Sequence, residues 1–519
     1  MTSRIGAPLS GIAAGAVTLG VAEVLALVLS RVDAASGTPS PLLAVGGAFV
    51  DRTPPWLKDF AVATFGTNDK LALFVGMGLT LLIACALLGV VATARYRLGL
   101  VLFAVVGIIG SAIVLTRPDS SAVDTVPTII GTLAGLGVLS WLARGAAQAV
   151  SVAPADGSVP SRRGVLAWGT GLTVLGAGAM YAGRTMSNAG ETVQAARKRV
   201  TDRFAGTAAA SGPGVSIPAD ADFTIDGLAP YVTPNDNFYR IDTALSVPQI
   251  DPDTWSIRVH GMVEQEIEMT FEDILNEELT ETAVTLTCVS NPVGGDLIGN
   301  AIWTGWPIRE LLQRAGVSAD ADMVLSTSSD GFTAGTPLAA LTDERDSIFA
   351  VLMNGQPLPA QHGFPVRMVV PGLYGYVSAT KWVVDLKVTT FDADQGYWTP
   401  RGWSAEGPIK VQSRIDVPAA GESVEAGQSV IAGVAWNQGT GIEKVEVQVD
   451  DGDWQTAELG GSVSDDTWLQ WRLDWDAPSG DHTVMVRATN KDGETQTPEE
   501  AAVAPNGATG WHTITVSVA

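Results

Sequence analysis

Of the two cysteines in this 519-residue chain, Cys85 lies inside a long apolar run, so Cys288 is the sole thiol of the charged part. That count excludes a disulfide framework and a cysteine-rich zinc site there. Cys288 ends the run Thr285-Leu286-Thr287-Cys288 and opens a polar, glycine-rich loop from Val289 to Asn300. A thiol at a strand end beside such a loop suits a metal ligand or a nucleophile. A lone cysteine is also commonly a small buried hydrophobe, and these residues alone leave both readings open. A cysteine protease would need a histidine and an acid around the thiol, which His362 only loosely suggests. All four histidines (His260, His362, His482, His512) lie outside the apolar part, so a bis-histidine membrane haem within this chain is excluded. No Cys-x-x-Cys-His haem attachment motif is present either.

The elements that must position Cys288 read as a mixed α/β domain over residues 222–405. Strand-like runs (Trp255–Val259, Ala283–Cys288, Met323–Ser326, Pro365–Val370, Trp382–Thr389) alternate with short helical stretches at Phe271–Leu275 and Pro307–Ala315. Residues 406–519 change character. Val430–Trp436, Lys444–Val449, Leu469–Trp475, Asp481–Ala488 and Trp511–Val518 are short alternating strands between Gly, Asp and Pro turns, the pattern of an immunoglobulin-like β-sandwich. Residues 184–221 read as a linker with a short helix at Glu191–Phe204.

Residues 1–183 are a different material. Five segments, Leu9–Ser30, Leu71–Ala94, Leu98–Thr116, Val126–Leu142 and Val165–Gly183, are long and apolar enough to be expected to span a bilayer. Pro41–Gly66 between the first two reads as re-entrant or interfacial. Glu23, an acid well inside the first span, is expected to make a helix–helix hydrogen bond. With five spans, Arg4, Arg95, Arg97, Arg144, Arg162 and Arg163 fall on one side. The opposite loops are balanced, as in Arg117 with Asp119 and Asp124. The positive-inside bias then puts the N-terminus in the cytoplasm and the soluble domains on the extracytoplasmic side. Ser161-Arg162-Arg163-Gly164-Val165-Leu166 resembles a twin-arginine export signal, a route for folded proteins. A plain topology anchor is the alternative.

Up to residue 190 there are 12 Lys/Arg against 8 Asp/Glu; from 191 onward there are 19 against 47, a net of −28. So acidic a body repels nucleic acid and anionic lipid headgroups, and nucleic acid is excluded as a partner. The eight lysines and the acid excess suit a salty medium, or equally any exported domain kept monodisperse by charge.

Four motifs in order carry a resemblance. Tyr231-Val232-Thr233-Pro234-Asn235-Asp236-Asn237-Phe238-Tyr239-Arg240 is similar to the opening motif of the sulfite oxidase and sulfoxide reductase superfamily. Thr285–Cys288 followed by Trp303-Thr304-Gly305-Trp306-Pro307-Ile308 resembles its molybdenum-ligand segment. Met353-Asn354-Gly355-Gln356-Pro357-Leu358-Pro359, His362-Gly363-Phe364-Pro365-Val366-Arg367 and Val370-Pro371-Gly372 resemble its longest signature, which Thr380-Lys381-Trp382 closes. The resemblance is strong over 225–415 and looser over the terminal sandwich, which looks like the family's dimerisation domain.

The resemblance implies a molybdopterin cofactor with Cys288 as the thiolate ligand of the metal. His362, Arg367, Thr380 and Lys381 match positions that hold the pterin and its phosphate, Tyr239 and Arg240 an early cofactor-wall segment, and Asp330 a pterin-contacting acid. Arginine forks and lysine point charges suit a phosphate. It further implies two-electron oxygen-atom transfer on a small-molecule substrate, a separate electron-transfer partner, a homodimer, and a lipid bilayer as anchor. Three departures count against sulfite. The arginine five residues after the ligand cysteine is Val293 here, a second oxyanion-binding arginine aligns with Ile241, and an active-site tyrosine with Val351. A fused haem domain is absent, so the chain looks more like the bacterial branch that includes sulfoxide reductases. The rival expectation is a cofactor-free binding or scaffold module on a membrane anchor.

Overall fold

The computed structural model describes residues 2–31, 34–35, 37–54, 57, 64, 69–117, 120–148, 162–185, 189–205 and 214–519. The chain divides into two compact units, one formed by Met1–Gly190 with Ala244–Ser246 and the other by Glu191–Thr243 with Val247–Ala519.

The first unit is helical: α1 (Thr2–Arg31), α2 (Pro41–Arg52), α3 (Asp69–Ala94), α4 (Tyr96–Leu115), α5 (Val126–Gln148) and α6 (Arg162–Thr185). Among the described residues, four stretches are long and apolar enough to cross a membrane: Gly6–Ser30, Ala72–Ala94, Tyr96–Leu115 and Ala122–Arg144. They coincide with the first four spans expected from sequence. The fifth falls on α6, several of whose side chains, Arg162 and Arg163 included, lie outside the described residues, as do Ser161, Asp119 and part of the Pro41–Gly66 segment. Small residues let these helices approach closely: a methyl on Gly176 of α6 would lie 2.4 Å from the Ala16 carbonyl oxygen of α1. Glu23 is buried and accepts a 2.7 Å hydrogen bond from Ser40 Oγ. Ser40 in turn caps α2 by accepting from Leu43 N. The acid's partner is therefore a helix cap rather than a neighbouring helix.

The second unit starts with α7 (Ala189–Phe204), which is no mere spacer. Its face Val193, Ala196 and Val200 is at most 4% exposed and belongs to the main core of the α/β domain. Arg203 fastens its end, donating to Leu275 O at 2.8 Å, Asn276 Oδ1 at 2.7 Å and Glu272.

Two sheets follow. The first runs in the order β2 (Ile267–Thr270), β1 (Ser256–Gly261), β10 (Val383–Thr389), β5 (Met323–Ser328), β6 (Thr333–Pro337), with β1 and β10 parallel. The second runs β3 (Thr280–Thr287), β4 (Ile298–Pro307), β7 (Ile348–Met353), β8 (Gln356–Pro357), with β9 (Arg367–Val369) paired to β7. Helices Phe271–Leu275 and Ile308–Ala315 stand where the sequence pattern predicts them. β4 was not anticipated, because its first residues read as part of the glycine-rich loop.

The last region has two sheets. One runs β11 (Gln412–Val417), β13 (Gly427–Trp436), β17 (Leu469–Ala477), β16 (Glu458–Leu459). The other runs β12 (Ser423–Val424), β19 (His512–Val518), β18 (Gly480–Asn490), β14 (Ile442–Val449), β15 (Gln455–Thr456). Both contribute to one core, with Ile431 and Trp471 from the first and Val445, Val486 and Val516 from the second.

If α7 is part of the α/β core, Val200→Asp buries an unpaired carboxylate and costs about 3–5 kcal/mol. In detergent-solubilised full-length protein, trypsin should then cleave at Arg199 and Arg203 under conditions where the parent chain is resistant. Unchanged cleavage would show that the helix is only laid on the surface.

Candidate active site

Cys288 follows β3 directly. The strand is buried along its last six residues, so the thiol emerges at 8% exposure inside the domain. The loop after it is closed by hydrogen bonds: Cys288 N to Leu297 O at 3.0 Å, and Leu297 N to Asn291 Oδ1 at 2.9 Å. Burial pushes the thiol pKa up, while hydrogen bonding from the backbone and hydroxyl of Ser290 draws it part of the way back. Those Ser290 groups would support a thiolate here.

Tyr239 is buried within electrostatic reach of both Cys288 and Arg367. Burial raises its phenol pKa, the Cys288 thiolate adds to the rise, and the Arg367 guanidinium opposes it. The Tyr239 ring stacks on Phe238 at 5.3 Å between centroids, and Phe238 meets the edges of Trp303 and His362. The Tyr231–Arg240 segment is fixed by two asparagines. Asn300, fully buried, donates to Tyr231 O at 2.9 Å and accepts from Thr285 Oγ1 at 3.0 Å. Asn354 donates to Asn235 Oδ1 at 2.8 Å and Thr233 O at 3.0 Å. The opening motif and the Met-Asn-Gly motif thus hold each other.

Arg367 belongs to a basic cluster. Arg367 is 5% exposed and sits over the Trp303 ring at 5.0 Å. Its hydrogen-bond partners are three carbonyl oxygens, of Met368, His362 and Ala379, at 3.3–3.5 Å. No carboxylate pairs with it among the described residues. Burial lowers its pKa to about 10, so it remains charged at neutral pH. Lys381 and Arg240 share the carboxylate of Asp242, at 2.8 and 2.9 Å. Burial brings Lys381 down to about 8 despite that partner. His362, 1% exposed, is lowered to about 3 by burial and then by Arg367, Lys381 and Arg240, and so is neutral. Three cations around one carboxylate leave the cluster about two charges short of balance.

Of the other residues singled out from sequence, Thr380 is fully buried and shares a 2.7 Å hydrogen bond with Ser326, so its hydroxyl braces the loop before Lys381. Asp330 is half-buried, accepting from Phe332 N at 3.3 Å and Thr243 Oγ1 at 3.4 Å. Val351 is buried in β7, Val293 is half-buried in the Cys288 loop, and Ile241 is 44% exposed.

The terminal sheets contribute residues that sequence reasoning missed. Arg414 donates to Gly295 O at 2.9 Å, and a methyl on Gly294 would lie 2.2 Å from the His512 ring, so β11 and β19 clamp the Cys288 loop. Gln438 donates to Thr285 O and Thr287 Oγ1, and Trp468 N donates to Thr285 Oγ1 at 2.8 Å, bracing β3 just before the cysteine. Tyr374, 4% exposed, belongs to the same buried cluster as Val289 and Ile298 at either end of the loop. None of these carries a motif; each is visible only once the sheets are assembled.

Among the described residues there is no group of three or more His, Cys, Asp and Glu side chains that could hold a metal ion. A metal at Cys288 would therefore need most of its ligands from its own organic partner. Residues 244–398 match the family model described as an oxidoreductase molybdopterin binding domain, and residues 405–519 the one described as a Mo-co oxidoreductase dimerisation domain. The chain belongs to the sulfite oxidase-type molybdopterin oxidoreductase superfamily. Mitochondrial sulfite oxidase of Macaca fascicularis is 30% identical over 342 residues, covering 56% of this chain and 62% of that protein. An NADH nitrate reductase of Nicotiana tabacum is 32% identical over 178 residues, covering 29% of this chain and 20% of that one. The chain thus spans less than two thirds of the length of these relatives. A solved sulfane dehydrogenase SoxCD from Paracoccus pantotrophus aligns over 58% of this chain and 86% of its own, at 23% identity and a TM-score of 0.49. Molybdopterin is the cofactor of the superfamily's binding domain.

The depressed pKa of His362 makes a signed prediction. Its stabilising effect is complete above the unfolded value near 6.5 and declines as pH falls from there toward 3, because only the unfolded chain takes up the proton. At pH 5, 1.5 units below that value, the loss from this group is roughly 2 kcal/mol. Chemical denaturation at pH 7 and pH 5 should show His362→Gln losing less stability than the parent chain by about that amount. An equal loss in both would mean that His362 is not held neutral.

Proposed function

We propose that this chain is a membrane-anchored molybdenum-cofactor oxidoreductase that carries out two-electron oxygen-atom transfer on a small substrate other than sulfite. The observation that carries this reading is the cationic cluster around buried Arg367 and Lys381, short of negative charge, with buried Tyr239 in electrostatic reach of both Arg367 and the buried thiol of Cys288. An anionic cofactor fits it: Arg367, Lys381, Arg240 and neutral His362 would hold the phosphate and the pterin edge, with Asp330 and Thr380 supporting that wall. Cys288 would be the thiolate ligand, kept ionised by the metal and by Ser290. When bound, the molybdenum centre would supply the electron exchange and the oxygen chemistry; the protein binds, orients and excludes water. Tyr239 would separate the ligand thiolate from the cation cluster, limiting direct pairing of Cys288 with Arg367.

Several further points belong to the same reading. The chain is divided as a membrane part (1–183), a linker (184–221), the molybdopterin domain (222–405) and an immunoglobulin-like dimerisation domain (406–519). α6 is a fifth span, and the soluble domains lie outside the cytoplasm. Electrons leave or arrive through a separate partner protein, and the chain works as a homodimer. The arginine pair at Arg162 and Arg163 supports export of a folded, cofactor-loaded domain. Replacing both by Lys should leave that domain inside spheroplasts, protected from added protease. Its appearance outside in normal amount would reduce the pair to a topology anchor.

Cys288→Ser is the direct test of the chemistry. A hard hydroxyl replaces a soft thiolate with little change in volume, so turnover should be abolished while the fold persists. Parent-like turnover would remove Cys288 from the metal. Stoichiometric molybdenum in the purified parent chain supports the enzyme reading, and its absence supports the cofactor-free scaffold.

A further inference from the structure

A cavity of about 350 Å³ is lined by Gln194 and Arg197 of α7, Asp236 of the opening motif, and Gln356, Pro359 and Gln361 of the Met-Asn-Gly segment. None of the residues proposed to hold the cofactor lines it. The helix reaches this place because Val193, Ala196 and Val200 are buried in the core. Gln194 and Arg197, three residues apart, therefore share the flank of α7 beside that face.

Arg197 is the cation of the cavity. Its Nη2 donates to Pro357 O at 3.1 Å, its Nη1 reaches Gln194 Oε1 only at 3.5 Å, and its Nε is buried with no partner. No carboxylate pairs with it among the described residues. A guanidinium has five donors in one plane, so this one retains capacity for a phosphate or carboxylate. Burial draws its pKa down, the mark of a charge that an anion would relieve.

The rest of the wall narrows the class of ligand. Asp236 is the only acid among the lining residues and is exposed, so water screens it, whereas Arg197 is half-buried. Two lining residues also touch the cation cluster: Gln361 O accepts from Lys381 Nζ at 3.3 Å, and Asn235 O lies 3.2 Å from His362 Nε2. Positive charge therefore backs the cavity as well as lining it. Gln194, Gln356 and Gln361 suit hydroxyl groups, while Val247, Pro359 and Ala360 suit a short carbon chain. The volume falls at the lower end of the roughly 300–1,000 Å³ of small-molecule sites, more than bare phosphate would fill.

We infer that this cavity binds a phosphoryl group carried on a short polyol, a glycerophosphate unit, with Arg197 as its charged anchor. A free phosphate ester and the headgroup of a phospholipid present the same chemistry. The site is separate from the oxidoreductase reading and stands whether or not the cofactor is bound.

Calorimetric titration of the detergent-solubilised full chain, at about 0.1 M salt, should show glycerol 3-phosphate binding about tenfold or more tighter than glycerol. Arg197→Gln should erase that preference, and Arg197→Lys should retain part of it. Arg199→Gln, an exposed change on the same helix, should bind like the parent. Asp236→Asn should tighten binding about two- to threefold, and Gln356→Glu should weaken it by a similar factor. Those last two side chains are exposed, so they report on the site even where Arg197→Gln fails to fold. Competition by phosphatidylglycerol in mixed micelles identifies the lipid headgroup as the source; binding without such competition identifies a free ester. Glycerol binding as tightly as its phosphate, parent-like affinity in Arg197→Gln, or equal loss in Arg199→Gln overturns the assignment. So does loss of binding in Lys381→Met with none in Arg197→Gln, which would place the anion in the cofactor cluster.

Discussion

The site depends on a cost the protein carries before any ligand arrives. Arg367 is buried against Trp303 with only carbonyl oxygens to receive its donors. A charge held away from water without a counter-ion costs several kcal/mol, and carbonyl dipoles offset only part of that. Lys381 and Arg240 sharpen the imbalance because one carboxylate, Asp242, serves both. Such an arrangement lasts in a fold only when the surrounding packing over-determines it, and it does so here. Phe238 packs edge-on against Trp303 and His362, while the hydrogen bond between Thr380 and Ser326 braces the loop that carries Lys381. An anionic ligand entering this cluster recovers the stored cost as binding energy, and water does so less well. The exterior is strongly acidic, so the basic interior is also what distinguishes the site electrostatically from the rest of the body.

A second constraint is that the cysteine loop belongs to two regions at once. β3 delivers Cys288 from the α/β part, but Gln438, Trp468, Arg414 and His512 come from the terminal sheets and fix the strand before it and the loop after it. The terminal region is therefore part of the site's scaffold, whatever it contributes to assembly. Clamping from both directions restricts the loop more than either region could alone. That matters for the ligand role proposed for Cys288, since a metal–sulfur bond tolerates little positional error.

How much of this was legible beforehand can be traced residue by residue. The strand at 283–288, the two short helices and the alternating strands beyond residue 430 followed from periodicity. The cation cluster followed from the motifs, since His362, Arg367 and Lys381 lie in runs specific enough to place. β4 was missed because its first residues, Gly299 among them, fell inside the stretch read as a glycine-rich loop, while its second glycine, Gly305, figured only in a motif. The structure gives them another purpose: a methyl on Gly299 would strike the Phe238 ring at 2.8 Å, and one on Gly305 the Phe349 carbonyl oxygen at 2.1 Å. Glycine here marks close approach of a ring and a neighbouring strand rather than a turn. α7 was read as a linker because its composition is polar overall. Three buried residues spaced three and four apart are enough to recruit it to the core. Asp242, Tyr374 and Arg414 had no signal at all, because their importance comes from pairings across long stretches of chain.

The three departures from a dianion pocket acquire a physical meaning from where they sit. Ile241 is exposed, Val351 is sealed in β7, and Val293 is half-buried in the clamped loop, so no side chain at these positions presents a charge. Arg240, one place from Ile241, is engaged by Asp242 and lies within the field of His362 and Lys381. Swinging it toward Cys288 would break that ion pair at an Asp242 carboxylate whose side chain is only 3% exposed. Loosening an ion pair on so buried a carboxylate opposes the roughly 1.5–3 kcal/mol that one charge-assisted bond to sulfite would return. None of Val293, Ile241 and Val351 supplies a replacement for that charge. The three uncharged positions support the proposed chemistry on a neutral atom and leave Arg367, Lys381 and Arg240 to the anionic cofactor proposed for them.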